Sequence, residues 1–308
     1  MNIVVFGVGG VGGYFGGRLA QAGFRVTCVA RGKHGNAIKN NGLQVKSILG
    51  DFKVYPEVTH DVSTIKDPDL ILLGVKSWQI LDVASQIEPI LTNNTMVLPL
   101  QNGADNADKL RSVIDHKHVL AGFCKIVAKI DSPGVIDHFA FEPEIVFGEY
   151  DNTMTERAKD LKIIFDASGI KNEISKDIHL DIWKKFLFIA TISGIGALTR
   201  VVFGDMRNDK HIRDLILQTA KEIVLVANAK GIALNEEHIQ LVMQIVDNLN
   251  EETTASMQRD IMNGRPSELD NFNGYIVNQG REFRIETPVN SFTYHCLLPQ
   301  ERKARGLS

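Results

Sequence analysis

Three glycines near the N-terminus have the spacing of a phosphate-binding turn. Gly7, Gly9 and Gly12 form the pattern G-x-G-x-x-G directly after the apolar run Asn2 to Phe6. In this pattern the first glycine permits a tight turn, the second lets the backbone approach a pyrophosphate, and the third lets a helix pack closely on the strand. We therefore predict a dinucleotide-binding turn at a helix N-terminus, with a merely flexible turn as the alternative. The predicted cofactor contacts in this turn are Gly7, Val8, Gly9, Gly10, Val11 and Gly12.

The residues after the second predicted strand indicate which dinucleotide would bind. Units that prefer NAD usually carry Asp or Glu there, about 20 residues past the glycines, to bond the ribose 2′-hydroxyl. This chain instead carries Arg31 and Lys33. A planar guanidinium suits a 2′-phosphate, so we predict NADPH as the cofactor, with a solvated surface arginine as the alternative. Lys76 ends another predicted strand, where it could reach the adenosine phosphates or simply lie at the surface.

Two further segments carry groups that could bond or protonate a substrate. Asn102 lies in a Gln-Asn-Gly sequence after the predicted strand 96–100, at the predicted carboxyl edge of the sheet, although Asn-Gly is also ordinary turn chemistry. Lys184 and Lys185 lie at the head of the most apolar helix of the chain. They must point differently, because successive helical residues are about 100° apart, and simple charge flanking of a buried helix is the alternative.

A carboxylate near the C-terminus has both a structural and a chemical interpretation. Glu268 follows Ser267 in a Ser-Glu-Leu-Asp sequence that has the form of a capping box, with Asp270 at the third helical position. A carboxylate in the first turn of a helix is favoured by the helix dipole, so Glu268 could serve only as a structural helix start.

The first half of the chain alternates between apolar strands and helices, which predicts an α/β fold with a doubly wound, mostly parallel sheet. After Phe123 the pattern changes to segments that we expect to be antiparallel strands closing this sheet. The predicted parallel strands are 2–6, 25–30, 70–75, 96–100 and 118–121, and the predicted antiparallel strands are 125–130, 135–141 and 144–148.

Strand signals nearly vanish from about Asp177 onward, and long helical periodicities predict an all-helical C-terminal domain. We place the boundary near residue 172, which divides the chain into residues 1–172 and 173–308. The predicted helices are 179–198, 211–230, 236–249, 252–262 and 268–279, and residues 300–308 are expected to be a frayed tail.

Composition excludes several classes of protein. The formal net charge of the 308 residues is -3, which argues against a nucleic-acid binder, and 44% hydrophobic residues argue against disorder. The longest strongly apolar uncharged run, Phe186 to Thr199, is shorter than the roughly 20 residues that a membrane span needs. The three scattered cysteines predict a reducing cytoplasm, and neither cysteines nor histidines have metal-ligand spacing, so no metal is expected.

The motifs together resemble the ketopantoate reductase (2-dehydropantoate 2-reductase) family, in order and over nearly the whole chain. The resemblance implies a Rossmann domain followed by an all-helical domain, with an active site in the cleft between them, and an NADPH-dependent reduction of a 2-keto acid. The motifs that carry it are Gly7-x-Gly9-x-x-Gly12, Arg31, Lys76-Ser77-Trp78-Gln79, Gln101-Asn102-Gly103, Trp183-x-Lys185, Ser256-Met257-x-x-Asp260 and Ser267-Glu268-Leu269-Asp270-x-x-x-Gly274.

The same resemblance implies roles for individual residues. Lys185 is the implied general acid, Asn102 its neighbour near the nicotinamide, Glu268 a hydrogen-bond partner of the substrate, and Ser256 a further substrate contact. A positioned ammonium can stabilise the charge that hydride leaves on a ketone oxygen and then donate its proton.

The helix of Lys185 departs from the family pattern in a way that bears on the substrate. Members that match best present asparagines four and eight residues after the lysine, whereas this chain has Ile189 and Ser193 there. Ser193 remains an expected substrate contact, together with Lys185, Ser256 and Glu268. Isoleucine cannot donate to a carboxylate or hydroxyl, so the choice of substrate is expected to change.

Three functions follow as alternatives. The first is reduction of ketopantoate to pantoate in pantothenate biosynthesis. The second is a 2-hydroxyacid dehydrogenase acting on a bulkier or more apolar 2-keto acid, which Ile189 favours. The third is a non-catalytic NADPH-binding regulatory protein, against which Asn102, Lys185 and Glu268 argue. The expected partner is a small-molecule 2-keto acid, without nucleic acid or membrane, and pairing of helical domains into a homodimer stays open.

Overall fold

The structure is a computed structural model that describes residues 1–307. Contacts between residues divide the chain into two compact units, Met1–Ile178 and His179–Ser308. The functional boundary that we place near residue 172 stays a prediction, because it concerns which part binds the cofactor and which the substrate.

The first unit contains the predicted doubly wound parallel sheet, which confirms the expected fold class. Its strand order is β5 (Glu57–Thr59), β2 (Arg25–Val29), β1 (Asn2–Phe6), β6 (Leu70–Leu73) and β7 (Met96–Pro99), and all neighbours in it are parallel. In the central register Val5 lies between Cys28 and Leu72, and all three side chains are buried. Between β2 and β5 in the chain lie β3 (Leu43–Ser47) and β4 (Phe52–Val54), which belong to a second sheet.

A second five-stranded sheet corrects the prediction that the later strands close the first one. The long strands β8 (Leu120–Ser132) and β9 (Val135–Glu149) form an antiparallel hairpin, and β9 continues to β3, β4 and β10 (Lys171–Ile174) in a separate sheet. The three segments predicted between residues 125 and 148 are thus parts of two strands. The hairpin contains register shifts, and a bulge interrupts the alternation of inward and outward side chains along a strand. The sequence pattern of the two long strands therefore looks like three separate segments.

Helices cover the strands of the first unit. Gly12 and Gly16 let the first helix approach β1, since a Cβ at either position would meet a Val5 side chain at 3.0 or 2.8 Å. The helices are α1 (Gly10–Gln21), α2 (Gly32–Asn41), α3 (Ile80–Ile87), α4 (Asn106–Arg111) and α5 (Glu156–Ala167).

The second unit consists of helices and their connecting turns, as predicted. A π-helical turn over Asp270–Gly274 leads directly into α11, and this replaces the regular helix start expected at Glu268. The helices are α6 (Ile178–Thr199), whose first residue ends the first unit, α7 (Phe203–Asn208), α8 (Lys210–Ala229), α9 (Glu236–Asn248), α10 (Ser256–Met262), α11 (Tyr275–Phe283) and α12 (Pro288–Ala304).

Helix α6 is the one helix among residues 1–307 that is long and apolar enough, by length and composition, to cross a membrane. Of its most apolar 18-residue window, 67% is buried inside the protein. Core helices that are mostly buried have the same composition, so this helix is weak support for a membrane span.

The expectation of a frayed tail over residues 300–308 is wrong for its described part, and Ser308 lies outside the described residues. Helix α12 continues to Ala304, and the Glu301 side chain is only 1% exposed. The carboxylate of Glu301 accepts hydrogen bonds from Ser267, which lies 34 positions earlier in the chain. A polar and basic sequence is typical of a free end, but such a long-range partner cannot be read from composition.

Candidate functional site

The glycine turn has the geometry that its sequence predicts. Gly7 has a φ of +90°, in the left-handed region that favours glycine. A Cβ on Gly12 would lie 2.1 Å from the Gly7 carbonyl oxygen, whereas a Cβ on Gly9 would meet nothing within 4 Å. Gly9 precedes α1 without a side-chain cap, so the first N–H groups of the helix are not bonded by a capping side chain. The turn is thus closed at the first and third glycines and open at the second.

The remaining residues of the turn differ in how closely the protein covers them. Val8 is 4% exposed, and Val11 is half-buried against the core of the first unit. A Cβ on Gly10 would lie 2.3 Å from the Ala128 carbonyl oxygen of β8. Gly10 is therefore needed for packing against β8, and Gly9 is the position that leaves space for a bound group.

Alanine substitutions in this turn are expected to separate packing from cofactor binding. Gly12→Ala should destabilise the protein by about 1–3 kcal/mol or more, because its Cβ overlaps backbone. Gly9→Ala should leave the thermal unfolding temperature unchanged, because its φ is -78° and its surroundings are open, yet weaken NADPH binding. Calorimetry and NADPH titration measure both effects. Full NADPH affinity in Gly9→Ala would show that the pyrophosphate does not lie at this turn.

Arg31 and Lys33 lie where β2 passes into α2, and both side chains are exposed. The Arg31 guanidinium makes a long hydrogen bond of 3.4 Å from Nη2 to Gln86 Oε1 at the protein surface. A single contact of this length leaves most of the donor fork facing solvent, where an anion can approach it.

Lys76 belongs to a turn that packs directly on the glycine turn. Next to it, the Val75 backbone nitrogen would lie 2.7 Å from a Cβ on Gly7. Lys76 is half-buried, and its Nζ lies 5.7 Å from the centroid of the Trp78 ring, a cation–π distance. The structure therefore brings Lys76 into the neighbourhood of the predicted pyrophosphate contacts.

Asn102 lies at the carboxyl edge of the same sheet, after β7. Its carbonyl oxygen accepts hydrogen bonds from Ser77 Oγ at 2.5 Å and from Asn106 Nδ2 at 3.3 Å, which join the ends of β6 and β7. The adjacent Gln101 is 7% exposed, and neither atom of its side-chain amide has a hydrogen-bond partner among residues 1–307. A buried amide of this kind requires a partner, which a ligand or water can supply. Sequence analysis missed Gln101 because nothing local shows that it is buried.

Two titratable groups border these turns. His34, also missed by the sequence analysis, accepts a hydrogen bond at Nδ1 from the Gly134 backbone N–H at 3.0 Å. Burial lowers the pKa of His34, and the backbone of Val8 opposes this effect. Burial raises the pKa of the Asp105 carboxyl, and the Lys109 ammonium at 2.9 Å opposes that effect.

The two lysines of α6 occupy different environments. Lys184 is exposed and forms an ion pair with Asp181 at 3.2 Å, whereas Lys185 is half-buried. Ile189 and Ser193 follow Lys185 at intervals of four residues on the same face; Ile189 is half-buried and Ser193 is 1% exposed. The helix therefore presents an ammonium, an apolar side chain and a hydroxyl along one face.

Glu268 lies on a segment that packs against this same helix. The Phe186 ring, next to Lys185 in sequence, packs edge to face on Phe272 with centroids 6.0 Å apart. The next residue of the π-helical turn, Asn273, also packs on α6, since a Cβ on Gly194 of α6 would lie 2.5 Å from Asn273 Oδ1. The structure thus places the segments of Lys185 and Glu268 side by side within the second unit, and Glu268 itself is 5% exposed.

The predicted capping box at Ser267 is wrong in its second half. Ser267 Oγ accepts from the Leu269 N–H at 3.2 Å, as an N-cap does. In a capping box the Ser267 N–H would donate to Asp270, but here it donates to Glu301 Oε1 at 2.9 Å. Asp270 Oδ1 instead accepts a hydrogen bond from Tyr294 Oη at 2.9 Å. Partners from a distant helix thus replace the local carboxylate.

Ser256 is the first residue of α10, and its side chain is exposed. In the same helical turn the buried Gln258 donates from Nε2 to the Val201 carbonyl oxygen at 2.7 Å. This bond attaches α10 to the residues that follow α6. The predicted substrate contacts therefore lie on three elements of the second unit, two of which contact α6.

No group of three or more His, Cys, Asp and Glu side chains that could hold a metal ion occurs within residues 1–307. Cys28, Cys124 and Cys296 form no disulfide within residues 1–307, and of the three only Cys296 is exposed.

Comparison with known proteins shows similarity over the whole chain. The family profile described as Ketopantoate reductase PanE/ApbA matches residues 3–152, and the profile Ketopantoate reductase PanE/ApbA C terminal matches residues 177–301. The chain is 31% identical to the uncharacterized oxidoreductase YkpB of Bacillus subtilis over 98% of this chain and 99% of that protein. It is 30% identical to a 2-dehydropantoate 2-reductase of Pyrococcus abyssi over 98% of both proteins.

A solved structure supports the same similarity. The crystal structure of a PanE/ApbA family ketopantoate reductase from Ralstonia eutropha is 29% identical to this chain, with a TM-score of 0.92. The match covers 99% of this chain and 100% of that chain.

Proposed function

Because the chain belongs to the ketopantoate reductase family, an oxidoreductase family that acts on CH–OH groups, we propose that it reduces ketopantoate to pantoate with NADPH. Oxidoreductases of this family bind a nicotinamide cofactor and act on small keto acids. The observation that carries the proposal is the open space at Gly9, where a cofactor pyrophosphate can approach the backbone. Arg31 offers an exposed cation for a 2′-phosphate, and the half-buried Lys185 offers a proton donor. Three cysteines that form no disulfide within residues 1–307 agree with the reducing cytoplasm that we propose as the location of the protein.

The first unit fits the cofactor, because nothing lies within 4 Å of a Cβ placed on Gly9 and no side chain caps the N-terminus of α1 next to it. The uncapped N-terminus of α1 would hold the pyrophosphate, and Arg31 with Lys33 would bind the 2′-phosphate. Lys76 would add a charge near the adenosine phosphates, and Asn102 would lie at the nicotinamide. The reduced nicotinamide supplies a hydride when bound. We place these contacts within residues 1–172 and the substrate contacts within residues 173–308.

The second unit would handle the substrate and the proton. Lys185 would stabilise the charge that develops on the carbonyl oxygen and then donate its proton there. The Glu268 carboxylate would accept a hydrogen bond from a substrate hydroxyl and orient the Lys185 ammonium. Ser193 and Ser256 would contact the rest of the substrate.

A second candidate is the reduction of a bulkier or more apolar 2-keto acid at the same site. Ile189 favours it, because this half-buried side chain lies on the face of Lys185 and cannot bond a substrate hydroxyl. The two candidates differ in substrate and share fold, cofactor and proton donor.

The deciding experiment measures NADPH oxidation with ketopantoate, benzoylformate and 2-ketoisovalerate. Highest kcat/KM with ketopantoate supports the first candidate, and highest kcat/KM with either of the other acids supports the second. Turnover of none of the three acids by a protein that still binds NADPH would reject both.

Ile189→Asn should shift the preference toward ketopantoate. The introduced amide can bond the hydroxyl that ketopantoate has and 2-ketoisovalerate lacks, so the ratio of their kcat/KM values should rise roughly tenfold. Ile245→Asn, at an exposed position of α9, is the matched control and should leave the ratio unchanged. An unchanged ratio in Ile189→Asn would show that residue 189 does not face the substrate.

A further inference from the structure

The end of α12 carries a charged pair that the proposed reaction does not use. Glu301 is 1% exposed, and its Oε1 accepts a hydrogen bond from Arg305 Nε at 2.6 Å. The Glu301 carboxylate also accepts from Ser267, from the backbone N–H at 2.9 and 3.1 Å and from the hydroxyl at 2.5 Å. Arg305 Nη2 donates in turn to the Ser267 carbonyl oxygen at 2.9 Å. The backbone N–H, the backbone carbonyl and the hydroxyl of Ser267 are therefore all bonded to α12.

Burial of the Glu301 carboxylate costs free energy, because the carboxylate loses its hydration. A cation and further hydrogen-bond donors must compensate for this loss. Here Arg305 supplies the cation, and Ser267 supplies two donors. Loss of any member leaves a buried polar group without its partner. The network thus holds Ser267 in one arrangement.

The segment held by this network begins immediately before Glu268. Ser267 is 0% exposed, and the π-helical turn follows two residues after Glu268, at Asp270–Gly274. Such turns are rare, and many occur at functional sites. The chain is therefore held by contacts with other elements on both sides of residue 268.

Helix α12 also holds the π-helical turn itself. Tyr294 Oη donates to Asp270 Oδ1 at 2.9 Å, and Asn273 Nδ2 donates to Asn290 Oδ1 at 3.0 Å. Residues 290, 294, 301 and 305 recur at intervals of four and seven, so they share one face of the helix. This face contacts the Glu268 segment both before and after the carboxylate.

We propose that Glu301 and Arg305 are positioning residues, which fix Ser267 and thereby direct the Glu268 carboxylate toward the substrate. The proposal rests on the proposed function, in which Glu268 bonds the substrate. Neither residue would touch substrate or cofactor, and both act only through the Ser267–Glu268 backbone.

The test compares Glu301→Gln with Glu286→Gln, which removes an exposed carboxylate of the same unit. In Glu301→Gln we expect KM for the keto acid to rise and kcat/KM to fall roughly 10- to 100-fold, the scale for a displaced catalytic group. The NADPH dissociation constant should not change. Glu286→Gln should behave as wild type.

Arg305→Lys keeps the positive charge but loses the planar guanidinium, so its decrease in kcat/KM should be smaller than that of Glu301→Gln. Lys303→Gln, at an exposed position, is its control.

A double-mutant cycle distinguishes positioning from general stabilisation. In a Glu268→Gln background, Glu301→Gln should cause no further loss of kcat/KM, because its effect passes through Glu268. Multiplicative losses would overturn the proposal, as would an unchanged Glu301→Gln in an active protein. If Glu301→Gln fails to fold, Arg305→Lys carries the same cycle. A folded wild type that reduces none of the keto acids overturns the proposed function and this role with it.

Discussion

Replacing Lys185 with alanine is expected to lower kcat roughly 10²- to 10⁴-fold, the usual contribution of a positioned general acid. Without the ammonium, the charge left on the carbonyl oxygen by hydride has no proton donor and no stabilising cation. NADPH affinity should remain, because every predicted cofactor contact lies in the first unit. Steady-state kinetics with the preferred keto acid and a separate NADPH titration measure the two effects.

Lys184 offers a matched control one position away. It is exposed and paired with Asp181 at 3.2 Å, so Lys184→Ala removes an equal charge from the same helix. Exposed pairs contribute about 0–1 kcal/mol, so stability and kcat should stay near wild type. Equal losses of kcat in the two variants would show that Lys185 acts only through the charge of the helix end.

Arg31→Ala is expected to weaken NADPH binding roughly 10- to 150-fold, equivalent to about 1.5–3 kcal/mol for hydrogen bonds to a charged group. NADH lacks the 2′-phosphate, so its affinity should be unaffected and the preference between the two cofactors should collapse. Arg31→Lys should recover only part of the affinity, because an ammonium cannot form the bidentate contact. Fluorescence titration with both cofactors measures each dissociation constant.

Lys39→Ala is the matched control for this second prediction. Lys39 is exposed on the same helix, α2, and its replacement changes the net charge equally. NADPH affinity should fall in Arg31→Ala alone. Parallel losses for NADH and NADPH in Arg31→Ala would contradict the assignment of the 2′-phosphate to this residue.

Local sequence was sufficient to predict the parts of the first unit whose conformation depends on neighbouring residues. The turn from β1 to α1 follows from Gly7 and Gly12, because the positive φ of Gly7 and the close approach of backbone to Gly12 exclude side chains there. Strand and helix periodicity likewise predicted four of the five strands of the parallel sheet and most helices of the second unit. The prediction of a fifth parallel strand at 118–121 is wrong, because these residues lead into β8 of the other sheet, and β5 takes the fifth place. The candidate site residues were identified from motifs and family resemblance, and their roles stay predictions.

The misjudged elements depend on partners far away in the chain. The hairpin of β8 and β9 joins β3, more than 70 residues earlier, and forms its own sheet instead of closing the first. The burial of Gln101 and His34 depends likewise on surrounding elements. Alternation patterns describe one strand and its faces, but they carry no information about which sheet it joins.

By itself, the sequence determined the glycine turn between β1 and α1, the absence of an acid after β2, and the division between an α/β part and a helical part. Each depends on steric or periodic properties of residues close together in the chain. Only the tertiary structure decided that Lys185 is half-buried while Lys184 is exposed, and that Glu301 and Arg305 hold the segment of Glu268. Burial and long-range hydrogen bonds arise when distant segments pack, so a helix end that looks like a free tail in sequence can be bonded to a segment far earlier in the chain.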